Sequence, residues 1–200
     1  MNLLREYIRE LLTESAINSK IMSMIDKAEE AGYKVRLFNA PNGGSVYLLP
    51  PGGTRSDRAL GTVDWRRPGE KEHGPCMQAK SVSWSSSMSG FGPLLYDVAI
   101  EASGGLMSDR FEVSGEAEAV WEKYMSARPD VQVDQLDIHD DYFEPQITPD
   151  DPSDDCSQVP AHDMYKSDWS KSSLSKMFSK AGTPVIDELS KRGMLEDVSK

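Results

Sequence analysis

Between Pro75 and Gly105 the chain changes period. PCMQAKSVSW reads as a strand, SSSMSGFGP supplies Gly90 and Gly92 for a tight turn, and Pro93 stands where a first helical residue needs no N–H. The spacing predicts a helix from about Pro93 to Ser103, with Leu94, Leu95, Val98, Ala99 and Ala102 on one face and Gly104-Gly105 ending it. A strand that runs through a glycine turn into a helix N-terminus aims backbone N–H groups and the positive end of the helix dipole into the turn. Phosphate is the natural guest of such a turn. The spacing Gly90-x-Gly92 is also that of a plain turn. No Lys-Ser/Thr pair follows the glycines, and Leu95 occupies the third glycine position of the dinucleotide pattern, so both of those nucleotide-binding motifs are absent.

Other elements are legible around this unit. MNLLREYIRELLTE places Leu4, Tyr7, Ile8, Leu11 and Leu12 at helical spacing, and Asn18 to Ala31 repeats the pattern through Ile21, Met24, Ile25 and Ala28 before Gly32. YKVRLFNA and GSVYLLPP flank Pro41-Asn42-Gly43-Gly44, a hairpin loop of about four residues. RALGTVDWRR follows, so that four consecutive strands form a meander. LMSDR reads as a fifth strand, Ser114 caps a helix over Glu116 to Ala127 that Pro129 stops, and VQVDQLD alternates as a sixth strand. Beyond Asp137 no apolar period returns until Leu174, Met177 and Phe178, and residues 184–198 suit a last short helix broken near Gly193.

A chain of 200 residues, 38% hydrophobic and 28% charged, fits one ordinary globular domain. Its net charge of -11 is local. Between Pro129 and Tyr165 stand eleven Asp and Glu and no Lys or Arg, and the remaining 22 acids balance the 22 bases. Nucleic-acid binding, which needs clustered cations, is not expected. The Pro- and Asp-rich stretch reads as a solvated loop or linker. No apolar run approaches the roughly 20 residues of a membrane span, and Arg5, Glu6, Arg9 and Glu10 interrupt the one candidate for a signal peptide. With only Cys76 and Cys156, a disulfide framework is not expected and a reducing compartment fits better.

The order of elements resembles the GNAT superfamily of acyl-CoA-dependent N-acetyltransferases, over about Lys34 to Leu136: a meander, a strand ending in SxxGxG, the helix GPLLYDVAIEA, a short strand, a helix of form SxxAxxVW and a further strand. The resemblance implies an α/β (α+β) fold, a mixed, mainly antiparallel sheet flanked by helices, with acetyl-CoA as donor substrate and a small-molecule or protein amine as acceptor. Ser87, Gly90 and Gly92 match the family's pyrophosphate loop, which implies coenzyme contacts from Ser87, Met88, Ser89, Gly90, Phe91 and Gly92; Ser87 replaces the family's Gln or Arg. The second motif aligns with Ser114, Ala117, Val120 and Trp121, so the family's thiolate-protonating Tyr is Trp here. Tyr124, about one helical turn on, is the phenol in that helix.

A general base is sought among Asp64, Glu101, Asp109 and His73. Asp64 is the choice carried forward, because Trp65 beside it could raise a carboxylate pKa by desolvation. No metal is expected. His73-x-x-Cys76 and Cys156-x5-His162 lack the spacing of a compact zinc knuckle, and DDPSDD lacks the glycine and final Glu of a calcium loop. No G-x-S-x-G elbow supports a hydrolase.

MNLLREYIRELLTE is also similar to capsid-targeting leaders of internal head proteins of large tailed bacteriophages, with Leu12-Thr13-Glu14 matching a prohead-protease site. GPLLYDVAIEA, GGLMSDR and SGEAEAVWEKY resemble uncharacterised tailed-phage proteins. This resemblance implies the phage capsid and its protease as partners and the host cytoplasm or the phage head interior as location. The division expected is a leader at 1–14, a GNAT-like domain at 15–137, an acidic loop or linker at 138–170 and a helical tail at 171–200. The function expected is an N-acetyltransferase. The alternative is a noncatalytic, head-associated or host-protein-binding protein that keeps the fold.

Overall fold

The computed structural model describes residues 17–54, 58–139 and 145–199. The leader at 1–14 lies outside them. Helix α1 (Ser19–Glu30) begins where the Asn18 side chain accepts the Lys20 amide at 3.0 Å, and it buries Ile21, Ile25 and Ala28. Strands β1 (Lys34–Ala40), β2 (Gly43–Leu49) and β3 (Gly61–Arg66) form the expected meander, with Val35, Leu37, Val46, Leu48, Val63 and Trp65 turned to one face. The first hairpin loop is tighter than expected. Only Pro41-Asn42 intervenes, and Gly43 and Gly44 lie within β2. A Cβ on Gly44 would come within 2.5 Å of both the Phe38 carbonyl oxygen and the Trp65 ring, so this glycine serves close approach.

A short helix α2 (Glu70–His73) leads to β4 (Lys80–Ser87), which starts later than the sequence suggests. Cys76, Met77 and Gln78 all hold positive φ (50°, 52° and 60°), a left-handed turn that cannot extend the ladder. Helix α3 (Gly92–Ser103) has Pro93 in its first turn and Gly104 at φ 73° closing it. Strand β5 (Leu106–Met107) follows, then helix α4 (Gly115–Ala127), whose cap Ser114 accepts the Ala117 amide at 3.3 Å.

The remaining elements are β6 (Gln132–Gln135), β7 (Asp137–Ile138), β8 (Asp155–Cys156), α5 (Val159–Tyr165), β9 (Lys176–Ser179), α6 (Pro184–Lys191) and β10 (Leu195–Asp197). Eight strands form one mixed sheet in the order β10-β1-β2-β3-β4-β5-β9-β6, and β7 and β8 pair separately. Only β1–β10 and β4–β5 are parallel within the large sheet. The fold is therefore α+β, with a mixed, mainly antiparallel sheet flanked by helices. The stretch read as a helical tail carries the helix α6 but also supplies two strands. Phe178 of β9 pairs with Leu106 on one side and Val133 on the other, and β10 pairs with β1.

Two apolar clusters hold the layers together. The larger joins α1, α3, α4 and α6 to the sheet, with Trp121 stacked on Phe178 at 5.0 Å. The smaller gathers Cys76, Ala79, Met107, Leu136 and Cys156, with Met177 against them. Cys76 and Cys156 are joined by a disulfide, which corrects the expectation of free thiols. The turn at 76–78 and the strand at 155–156 meet only in the folded chain, 80 positions apart, so their spacing carried no signal. Both thiols being bonded, the two His/Cys pairs no longer offer four ligands. No described helix is long and apolar enough to cross a membrane.

Candidate functional site

Strands β4 and β5 are in register only at Lys80–Leu106 and Ser81–Met107. Two local devices then drive them apart. On the β3 side the register slips between Asp64 and Trp65, a bulge that bends β4. On the β5 side Asp109 Oδ1 accepts the amides of Phe111 (2.7 Å) and Glu112 (3.2 Å), folding the chain into a turn ahead of α4. A cleft of about 480 Å³ opens between them. Its walls are Val82 to Ser85 of β4, Phe111 to Ser114 before α4, Ala117 and Trp121 of α4, and Tyr96 of α3. Its charged groups are Asp109 and Glu112.

The 87–92 loop follows directly from the cleft wall of β4. Gly90 takes φ 93° with nothing within 4 Å of its missing Cβ, so the backbone there is open to a ligand. Two of the amides expected to face an anion are already used, Met88 donating to Leu60 O at 2.6 Å and Phe91 to Met88 O at 3.2 Å. Among the described residues the N–H groups of Ser89, Gly90 and Gly92 donate to no backbone or side-chain acceptor. The Ser87 hydroxyl donates to Met88 O at 2.8 Å, and Phe91 packs its ring edge-on against Tyr33 at 5.7 Å. The six loop residues are thus brought together, but in two roles: Ser87, Met88 and Phe91 brace the turn, while Ser89, Gly90 and Gly92 present its amides.

Tyr124 and Asp64 lie elsewhere. The Tyr124 phenol is buried and donates to Asp97, whose carboxylate also takes two bonds from Arg128 (2.8 and 2.7 Å) and one from Lys180 (3.1 Å). Burial and the neighbouring Asp97 charge hold that phenol well above its ordinary pKa. Tyr124 is a strut of an ion network and does not line the cleft. Asp64 and Trp65 turn to opposite faces of β3, Trp65 into the core and Asp64 opposite Trp84, so the Trp65 ring does not cover the Asp64 carboxylate. Glu101, a third base candidate, accepts the amides of Val185 and Ile186 (2.9–3.1 Å) and a bond from Lys180; it caps α6.

The phenol that does face the cleft is Tyr96. Its hydroxyl donates to Ser85 Oγ at 3.0 Å, and burial raises its pKa, so it stays protonated at neutral pH. Sequence reasoning passed over it because Tyr96 falls off the aliphatic face of α3; a lone phenol one residue before Asp97 and close behind the glycine turn was the available signal. Asp109 is the base candidate that lines the cleft.

Three other carboxylates, Asp137, Asp154 and Asp155, converge within 4.8 Å. Asp137 spends its oxygens on the amides of Ile138, Ile147 and Thr148 and on the Thr148 hydroxyl, which shapes the 145–154 loop. No family model, curated protein or solved structure matches this chain.

Proposed function

We propose that the chain is a GNAT-like N-acetyltransferase that binds acetyl-CoA in the β4–β5 cleft and acylates an amine. The observation that carries this reading is the parting of a parallel strand pair after two residue pairs, with a glycine turn and a helix N-terminus at the end of the same strand. A peptide-like pantetheine arm suits the free edge of β4 beyond Ser81, since that edge offers unpaired backbone donors and acceptors. The amides of Ser89, Gly90 and Gly92, with the dipole of α3, suit a pyrophosphate.

In this reading the amine nitrogen attacks the thioester carbon, its proton passes to Asp109, and the carbon–sulfur bond breaks. Tyr96 then gives its proton to the leaving thiolate, and its phenolate is reprotonated from solvent. The tailed-phage origin suggested by residues 1–14 belongs to the same proposal, with the capsid and its protease as candidate partners.

Calorimetric titration with acetyl-CoA, alongside a Gly90→Glu variant, tests it. Binding by the parent that disappears in the variant, where a carboxylate would repel the pyrophosphate, supports the reading. No binding at millimolar acetyl-CoA overturns it in favour of a noncatalytic protein that keeps the fold.

A further inference from the structure

A second, smaller cavity of about 170 Å³ adjoins the cleft; Asp109 and Phe111 belong to both. Its charged and titratable walls are Arg66, Arg67, Glu72, His73, Asp109 and Arg110, three guanidiniums against two carboxylates.

Arg110 is 1% exposed and bonded entirely to neutral acceptors: Nε to Ser108 O (3.1 Å), Nη1 to Ser157 O (3.1 Å), and Nη2 to Leu174 O (2.7 Å) and to Ser108 Oγ. Four of a guanidinium's five N–H groups are thereby used. No carboxylate of the described residues forms an ion pair with it; Asp109, its neighbour in the chain, acts on its charge only from beyond ion-pair distance. A buried cation so placed favours any anion that reaches it.

His73 supplies a second, separate observation. It is 5% exposed, its ring is held edge-on by Phe111 at 4.8 Å, and its Nδ1 is buried with no hydrogen-bond partner among the described residues. Its closest acid, Glu72, stands 3.8 Å from the other ring nitrogen, beyond hydrogen-bond reach. Buried nitrogens without partners are rare in folded proteins, and one that lines a cavity beside guanidiniums is open to a bound ion.

We infer that this cavity is a binding site for a small oxyanion, a phosphate or carboxylate group, held by His73, Arg66 and Arg67, with the buried charge of Arg110 behind them. Its volume admits one such group and little more. Asp109 lines the same cavity with its Oδ1 held by the Phe111 and Glu112 amides, and its charge reaches both Arg110 and His73, but it forms no ion pair with either. The site does not depend on the acetyltransferase reading and is tested without acetyl-CoA.

Binding also has a proton linkage. Burial, Arg110 and Arg66 lower the His73 pKa, while Glu72 and Asp109 oppose them, and Arg67 adds its positive charge at the rim. A bound anion favours the imidazolium, so affinity should rise as pH falls through the His73 range.

The chain has three histidines, so His73 ring resonances can be assigned by their loss in His73→Gln. The experiment titrates the full chain with inorganic phosphate, and separately with acetate, at constant ionic strength. A saturable shift of the His73 resonances with both anions supports an oxyanion site, and a shift with phosphate alone supports a phosphate site. The exposed pair Arg66→Gln/Arg67→Gln should weaken binding by about tenfold or more, through loss of charge-assisted bonds. An equal shift with chloride, no shift of His73 with either anion, or undiminished affinity in Arg66→Gln/Arg67→Gln would each overturn the site.

Discussion

Lys180 Nζ lies 2.6 Å from Glu101 Oε1, both side chains essentially removed from water, although the two residues stand 79 positions apart. Through Lys180 the end of β9 is tied to α3, and through Asp97, Arg128 and Asp130 the same network reaches the end of α4. Breaking a buried pair leaves an uncompensated charge and typically costs about 3–5 kcal/mol. Lys180→Met should therefore destabilise the chain by an amount in that range, read from urea denaturation. Adding Glu101→Gln to Lys180→Met should return part of the loss. A Lys180→Met variant as stable as the parent would show the network to be ornamental.

Tyr96 and Tyr124 are separated by function in this structure. Under the acetyltransferase proposal, Tyr96→Phe should lower kcat by roughly a hundredfold with KM for acetyl-CoA little changed. Tyr124→Phe should act on stability first, by about 2 kcal/mol, for the loss of one hydrogen bond to the Asp97 carboxylate. Steady-state rates and denaturation midpoints of both variants, measured together, distinguish the roles; reversal of the pattern would return the acid to Tyr124.

Asp137 makes a pH-dependent prediction. Burial raises its pKa, but the bonds from Ile147, Thr148 and Ile138 outweigh that and leave it below the ordinary value. A carboxyl depressed in the folded state stabilises above its unfolded pKa, and the contribution fades as pH falls through the folded value. Asp137→Asn should thus cost about 2 kcal/mol at pH 7, from weakened bonds to the Ile147 and Thr148 amides. The gap from the parent should close in denaturation curves taken at progressively lower pH, below about 4. A gap independent of pH would contradict the carboxylate's role.

Two glycines should respond differently to alanine. At Gly44 the new methyl would meet the Phe38 carbonyl oxygen and the Trp65 ring at 2.5 Å, an overpacking of about 3 kcal/mol or more. At Gly90 it meets nothing, and the loss is only the strain of φ 93°, about 1 kcal/mol. Thermal unfolding of the two variants gives the ranking directly, and Gly44→Ala as the milder of the two would refute it.

Local signals carried well. Ser114 caps its helix, Pro93 opens one, Gly32 and Gly104 close theirs in the left-handed region, and the meander pairs as its alternation implies. What the sequence hid is what depends on distant partners. Lys176–Ser179 is too short to alternate visibly, and it is a strand because Leu106 and Val133 both need a neighbour at Phe178. Glu101, a base candidate in the sequence, and Asp97 beside it on the helix acquire their structural role only when Arg128 and Lys180 arrive from elsewhere. The glycine turn was legible as a shape. Its division into bracing and open amides was not, because Leu60, which takes the Met88 amide, lies on another strand connection.

The place of β9 also sets a timetable. Among the described residues strand β6 has no ladder partner other than β9, and β5 keeps one edge bare until the same four residues arrive. During synthesis both edges therefore wait until residue 179 clears the ribosome, and β1 gains its parallel neighbour β10 later still. A nascent chain in that interval presents open strand edges over an incomplete apolar layer, the condition under which chaperone capture competes with closure of the sheet.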